Sequence, residues 1–192
     1  GKADYSSEVG VLGSAGGDAL VVIGYLDQGG KGMIEAALDS GSFDLFVLSD
    51  GMIGQSIADA IGADLNGSFG SLPGTVSEGA SQFAAISGDI DATAPYAGES
   101  YDAAALIVLA MQAGGSADRM SVVSNIKKVA NAPGEQILPG ELAKGLSILA
   151  SGGDIDYQGA TDVELSTFGD AAGSFKEVEV QGGKFEMIQI RN

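Results

Sequence analysis

Two side chains that could bind a ligand lie directly after the two most apolar segments near the start of the chain. Tyr25 ends the apolar run 19–25, and Asp50 follows the run 43–48 within the turn 49–51. Short apolar runs that alternate with helical patterns predict parallel strands that are buried on both faces. Ligands of open parallel sheets bind beyond the carboxyl ends of the strands. Tyr25 and Asp50 are therefore the first candidates for a binding site.

Each of these residues also has an ordinary structural interpretation. Asp50 directly precedes a predicted helix, so its carboxylate could instead be the N-cap of that helix. Tyr25 could instead be an aromatic side chain that packs in the core. Position alone leaves both alternatives open.

The glycine-rich run 24–32 has the composition of a phosphate-binding loop but not its spacing. Tyr25 stands where the Walker pattern requires glycine, and Gly32 follows the lysine where the pattern requires serine or threonine. We interpret this run as a flexible turn ahead of a helix, and we expect no nucleotide cofactor.

Two pairs of acids, Asp89 with Asp91 and Asp154 with Asp156, do not extend into a calcium-binding loop. We interpret them as loop caps and solvated turns. The chain contains no cysteine and no histidine, which excludes disulfides, thiolate nucleophiles, the usual zinc sites and any Ser-His dyad. Spacing leaves a catalytic pair of carboxylates open, but nothing in the sequence singles one out. Because the sequence shows no nucleophile–base pair, we rank an α/β enzyme below a binding protein, and we expect no catalytic residue, no metal and no cofactor.

The composition is that of a globular α/β protein. The 192 residues are 45% hydrophobic and include 31 glycines, which suits a packed chain with many tight turns. A net charge of −17 without a basic cluster argues against a nucleic-acid partner. The longest apolar run, 103–111, is too short to cross a bilayer core about 30 Å thick.

Periodicity predicts the remaining elements. Helical spacing covers residues 28–40, 52–61, 76–86, 101–113, 116–129 and 142–149, with Gly41 and Gly62 as helix stops and Ser100 as the N-cap of helix 101–113. Strand character is predicted over residues 69–74, 163–167, 175–180 and 185–190.

Three further features concern organisation. Helix 101–113 is apolar nearly all round, so we expect it to be buried on most sides. The alternating residues 175–190 around Gly182 and Gly183 predict a β-hairpin. Residues 1–18 resemble a helix and loop that precede a central strand, and this start leads us to expect a cut into a longer chain.

Six segments in a fixed order carry a resemblance to a known family: DALVVIGY (18–25), GGKGMIEAALDSG (29–41), FVLSDGM (46–52), APYAGESYDAAALIVLAMQ (94–112), GDIDYQGATD (153–162) and FKEVEVQGGKFEMI (175–188). Together they resemble the C-terminal part of a type I periplasmic binding protein, in particular the branched-chain amino acid receptors of ABC importers. The family has two Rossmann-like lobes that close on a small ligand about a hinge.

The resemblance implies an incomplete fold of this type. Residues 1–95 correspond to an α/β segment of the second lobe, residues 96–174 to a mostly helical segment of the first lobe, and residues 175–192 to a hairpin that returns to the second lobe. The N-terminal part of the family has no counterpart, which leaves helix 101–113 without its usual sheet. We therefore expect a second copy, an N-terminal fragment or rearranged helices to cover that helix.

The resemblance also implies a site and a function. An acid at the position of Asp50 would accept the ammonium group of an amino acid, while Tyr25 and Tyr96 would line the second-lobe side and the hinge. The implied function is substrate binding for an ABC importer in the periplasm, with a branched-chain amino acid or related amide as ligand and a membrane permease as partner. The alternative is a sensor domain of a signalling or transcription-regulating receptor. An upstream secretory signal would favour transport, and a fused helical segment would favour sensing.

Overall fold

The structure is a computed structural model that describes residues 2, 4–171 and 173–191. The chain divides into two compact units. Unit 1 runs to Pro73 and resumes over Phe175–Arg191, and unit 2 covers Gly74–Ser174.

The elements alternate between helix and strand through the first part of the chain, as predicted. The α-helices of the described residues are α1 (Ser6–Ala15), α2 (Gly30–Ser40), α3 (Gln55–Ile61), α4 (Glu78–Ile86), α5 (Ala97–Gly114), α6 (Arg119–Ala130) and α7 (Leu142–Ala150). The strands are β1 (Leu20–Val22), β2 (Phe46–Leu48), β3 (Phe69–Pro73), β4 (Glu135–Ile137), β5 (Ile155–Tyr157), β6 (Phe175–Gln181) and β7 (Lys184–Arg191).

Unit 1 is built on a five-stranded sheet with the order β1-β2-β3-β6-β7. Strands β1 and β2 are parallel, with Val21 opposite Val47, and β2 is parallel to β3. Strand β6 pairs antiparallel with β3, and the hairpin of β6 and β7 forms one edge. The predicted parallel pair and the predicted terminal hairpin are confirmed.

The core of unit 1 lies on one face of this sheet. Leu20, Val22, Phe46 and Leu48 alternate into a single apolar cluster to which α1, α2 and α3 all contribute. The other face is open, since Val21 is 60% exposed. The prediction that these strands are buried on both faces is therefore wrong, because the helices of the unit all pack on the same side.

Glycine ends α2 as predicted. Gly41 adopts the left-handed conformation with φ 65°, and its N–H donates to the Leu38 carbonyl at 2.9 Å. A residue without a Cβ takes this conformation at no steric cost, so the helix stops there.

Unit 2 contains α4 to α7 and a two-stranded parallel sheet of β4 and β5, in which Gln136 lies opposite Asp156. The sequence did not predict this pair, because β4 and β5 lack the continuous apolar runs that mark β1 and β2 and are too short to show alternation. The predicted strand 163–167 is wrong: only an isolated bridge from Leu165 to Ala171 forms. The Asn131 side chain accepts from the Leu165 N–H at 3.0 Å and donates to its carbonyl at 2.8 Å, so a side chain satisfies these backbone groups.

Helix α5 differs from its prediction in two respects. It begins at Ala97 with Tyr96 as the N-cap residue, so Ser100 lies inside the helix and is not its cap. Its inner face, including Leu106 and Leu109, packs in the core of unit 2, but Ile107 is 46% exposed. The helix is therefore less buried than its composition predicts, and what covers its outer face stays a prediction.

The chain passes into unit 2 after Pro73, earlier than the predicted boundary at residue 95. The reason is that α4 packs within unit 2, where the rings of Phe83 and Tyr101 lie 5.2 Å apart. The assignment of the two units to the two lobes of the family remains a prediction. Among the described residues, no helix is both long and apolar enough to span a membrane.

Candidate ligand-binding site

Ser49 joins the carboxyl ends of β1 and β2. Its N–H donates to the Val22 carbonyl at 3.1 Å, which extends the parallel ladder by one step. The Gly24 N–H donates to Ser49 Oγ at 3.2 Å, and the hydroxyl lies 3.4 Å from the Gly24 carbonyl, to which it donates. These hydrogen bonds hold the ends of β1 and β2 side by side. Tyr25 directly follows Gly24, and Asp50 directly follows Ser49.

The ring of Tyr25 lies against the backbone of Gly51. A Cβ added at Gly51 would be 2.7 Å from Tyr25 Cδ1, nearer than real Cβ contacts allow. The structure therefore places Tyr25 beside the residue that follows Asp50, as the strand-end argument predicts. Tyr25 is 57% exposed, so it is not a core aromatic.

The backbone of Tyr25 is fixed from the other side. Its carbonyl accepts from the N–H groups of Gln28 and Gly30, both at 3.1 Å. A Cβ at Gly30 would collide with the Met52 side chain and would lie 2.9 Å from the same carbonyl. The 24–30 turn is thus packed against the 50–52 turn. This packing fixes the backbone that carries the exposed Tyr25 ring.

Asp50 opens a short 3₁₀ turn, Asp50–Met52, and its side chain is half-buried. Its Oδ1 accepts from the Gly51 N–H at 2.7 Å. The N-cap of this turn is Ser49, and the N-cap of α3 is Gly54. The alternative in which Asp50 is the helix N-cap is therefore wrong, and its part in ligand binding stays a prediction.

A groove of about 250 Å³ runs along β1 and ends at the same place. Besides the strand and the glycine turn, it is lined by Tyr5, Leu12, Gln28 and Met33. Sequence reasoning did not select Tyr5. The Tyr5 hydroxyl lies so close to Gly29 that a Cβ on Gly29 would overlap the hydroxyl. The glycines of this turn are therefore the feature of the sequence that could have indicated the close approach of a bulky side chain.

Tyr96, the third predicted contact, belongs to unit 2. Its backbone is left-handed, with φ 66° and ψ 7°, and its carbonyl accepts from the Ser100 N–H at 2.9 Å in the first turn of α5. Its side chain is 37% exposed. A bulky residue seldom adopts this conformation, and such residues are found disproportionately at functional sites. The structure brings Tyr25 and Asp50 together within unit 1 and places Tyr96 in the other unit.

The described residues contain no group of three or more acidic, histidine or cysteine side chains able to hold a metal ion. At the candidate site, the described residues offer the Asp50 carboxylate, the Tyr25 ring and backbone groups. Such a set can bind a cation and shield it from water.

The sequence matches no protein-family model, and no curated protein matches it. Solved structures do match its fold. A leucine-binding protein from Thermotoga maritima is 20% identical with a TM-score of 0.72, and the match covers 100% of this chain and 49% of that one. A type 1 periplasmic binding protein from Bordetella pertussis is 18% identical with a TM-score of 0.67, over 98% of this chain and 50% of that one.

A third structure is an ABC transporter solute-binding protein from R. palustris in complex with 4-hydroxybenzoate. It is 16% identical with a TM-score of 0.67, over 99% of this chain and 49% of that one. This chain therefore spans about half the length of the proteins that it matches. At these identities the likeness concerns the fold, and the chain has the mixed α/β fold of about one half of a type I periplasmic binding protein.

Proposed function

We propose that this chain forms part of a solute-binding protein of an ABC importer, with a small amino acid of the branched-chain type, or a related amide, as ligand. The observation that carries the proposal is the half-buried carboxylate of Asp50 at the end of β2, with the exposed ring of Tyr25 beside it on Gly51. The protein would act by binding and release, not as an enzyme.

The chemistry of Asp50 favours a ligand with an ammonium group. A carboxylate and an ammonium form a charge-assisted hydrogen bond that is stronger than one between neutral groups. Tyr25 would cover this ion pair, since an aromatic face attracts a cation and excludes water. The Gly51 N–H on Oδ1 fixes the orientation of the carboxylate before the ligand arrives.

The same carboxylate distinguishes between the ligands of the structural neighbours. One neighbour is a leucine-binding protein, and another was solved with 4-hydroxybenzoate, which carries a negative charge and no ammonium. An anionic ligand beside Asp50 would be repelled, because like charges disfavour each other when water is excluded. This supports an amino acid over an aromatic acid.

In the intact protein, ligand binding would shift the population towards a closed form of two lobes. Unit 1 would be most of the second lobe, and Tyr96 would contribute an aromatic ring at the hinge. The permease of the importer would be the membrane partner, and the periplasm would be the compartment. The absence of cysteine suits an exported protein that needs no disulfide chemistry.

Calorimetry with leucine, isoleucine, valine, glutamine and 4-hydroxybenzoate tests the proposal on the intact protein, as wild type and as Asp50→Asn. An asparagine keeps an oxygen that accepts from the Gly51 N–H, but it has no charge. We expect amino acids to bind the wild type, and we expect Asp50→Asn to weaken binding by about 2–5 kcal/mol, because the buried ammonium loses its charged partner.

Asp59→Asn is the matched control, because Asp59 is exposed on α3 and its replacement makes the same change in net charge. The control should bind as the wild type does, and both variants should keep the wild-type melting temperature. Equal amino-acid affinities for Asp50→Asn and the wild type would contradict the proposal, as would preferential binding of 4-hydroxybenzoate. The 192-residue chain should bind weakly, because half of each matched protein has no counterpart in it.

A further inference from the structure

Asp102 is a buried carboxylate that the proposed ligand chemistry does not use. It lies in the second turn of α5 and is only 2% exposed. Its Oδ1 accepts from Tyr157 Oη at 2.8 Å and from the Ala160 N–H at 2.8 Å. Its Oδ2 accepts from the Thr161 N–H at 2.9 Å and from Thr161 Oγ1 at 2.7 Å. Both oxygens are thus committed to one segment, which we call the 157–161 turn.

The 157–161 turn is shaped to receive this carboxylate. Gly159 adopts the left-handed conformation with φ 60°, and a Cβ there would be 2.6 Å from Asp102 Cγ. Only a residue without a side chain allows the carboxylate to approach so closely. The contact is therefore specific to the backbone path of this turn.

Two helix starts meet on the same turn. A Cβ at Gly98, in the first turn of α5, would lie 3.2 Å from Thr161 Cγ2 and 3.4 Å from Ala160 Cβ. Gly79, in the first turn of α4, lies so close to the Gly159 carbonyl that a Cβ there would collide with it. Contacts this close leave the first turn of α5 little room to shift while the 157–161 turn is held.

Tyr96 is the residue that precedes α5, and its left-handed backbone needs such support. The conformation is unfavourable for a bulky side chain and persists only where neighbouring contacts determine it. Its carbonyl is bonded to the Ser100 N–H, so its backbone moves with the first turn of the helix.

We propose that Asp102 is a positioning residue for Tyr96: by locking the 157–161 turn against α5, it holds the first turn of the helix and with it the orientation of the Tyr96 ring. The importance of that ring for a ligand rests on the proposed function. The positioning of the ring by Asp102 is independent of that function and can be tested without any ligand.

The chain has no tryptophan, so Tyr96→Trp provides a single fluorescent reporter at the position in question. In this background, Thr161→Val removes the hydroxyl that donates to Asp102 but keeps the methyl group that packs near Gly98. Thr161→Ser keeps the hydroxyl and loses the methyl group, so it is the matched conservative variant. Asp102→Asn is a third variant, which removes the charge at the centre of the contact.

We expect Thr161→Val and Asp102→Asn to shift the emission of the tryptophan reporter to longer wavelength, to lower its anisotropy and to increase its quenching by acrylamide. Thr161→Ser should stay close to the parent values, because its hydroxyl still donates to Asp102 and Ala160 still packs near Gly98. Far-UV circular dichroism checks that each variant is folded, and if Asp102→Asn does not fold, the two Thr161 variants decide the question.

An unchanged reporter signal in Thr161→Val, together with a lower melting temperature, would overturn the proposal and leave Asp102 with a purely structural role. Neither outcome depends on whether Asp50→Asn affects ligand binding.

Discussion

Tyr157→Phe measures how much stability the buried hydrogen bonds of Asp102 contribute. The Tyr157 side chain is 1% exposed, and its hydroxyl donates to Asp102 at 2.8 Å. Burial and the Asp102 carboxylate raise the pKa of Tyr157, so the phenol stays protonated and remains a donor. Phenylalanine keeps the ring and removes only this bond. Because a hydrogen bond to a charged group contributes about 1.5–3 kcal/mol, we expect the free energy of unfolding to fall by that amount at neutral pH.

The loss should depend on pH. Burial raises the pKa of Asp102, and the hydrogen bonds from Ala160, Thr161 and Tyr157 oppose that rise. When the pKa of a carboxyl is higher in the folded state than in the unfolded state, the stability of the protein falls as the pH rises from the unfolded-state pKa through the folded-state pKa. Removing the Tyr157 hydroxyl raises this pKa further. The difference in the free energy of unfolding between Tyr157→Phe and the wild type should therefore be largest at neutral pH. It should shrink as the pH falls towards the pKa of Asp102 in the unfolded chain.

Urea unfolding followed by circular dichroism at several pH values makes the measurement. Tyr101→Phe is the matched control, because the Tyr101 hydroxyl accepts from the Gly140 N–H at 3.1 Å in an exposed, uncharged hydrogen bond. We expect the control to cost about 0.5–1.5 kcal/mol and to show no such pH dependence. The reasoning fails if both variants lose the same stability, or if the loss for Tyr157→Phe grows as the pH is lowered.

Three further predictions concern other parts of the chain. Gly51→Ala should lower the free energy of unfolding in urea by about 1–3 kcal/mol, because the new Cβ would overlap Tyr25 and the turn would have to shift. Gly54→Ala is the control and should leave the stability nearly unchanged, because the nearest atom to a Cβ there is 3.8 Å away. Asp156→Val should raise the melting temperature, because Asp156 Oδ1 is buried with no hydrogen-bond partner among the described residues, and such a group costs about 1–3 kcal/mol. The substitution also removes the 3.3 Å bond that Oδ2 accepts from the Gln158 amide, and a lower melting temperature would mean that this bond outweighs the cost of the buried Oδ1. If a second copy covers the outer face of α5, Ile107→Lys should abolish self-association in sedimentation velocity, and a monomeric wild type would exclude that occupant.

The candidate site could be predicted from the sequence only in part. Apolar runs followed by Tyr25 and Asp50 predict two parallel strand ends, and the strand ends do lie side by side. The role of Gly51 in seating the Tyr25 ring was not predictable, because it depends on a distance between two turns that are separate in sequence. Asp102 carried one signal, since it is the only charged residue within the apolar segment 101–113. That signal does not identify its partners.

Local periodicity by itself determined the alternation of helices and strands, the stop of α2 at Gly41 and the hairpin of β6 and β7, because each depends on neighbours in sequence. The tertiary structure alone decided which faces are buried. Val21 has the side chain of a core residue and is exposed, since the helices of unit 1 all pack on the other side of the sheet. Asp102 has the side chain of a surface residue and is buried, since hydrogen-bond donors from a turn more than fifty residues away satisfy both of its oxygens. Burial is a property of what covers a residue, and the covering elements come from distant parts of the chain.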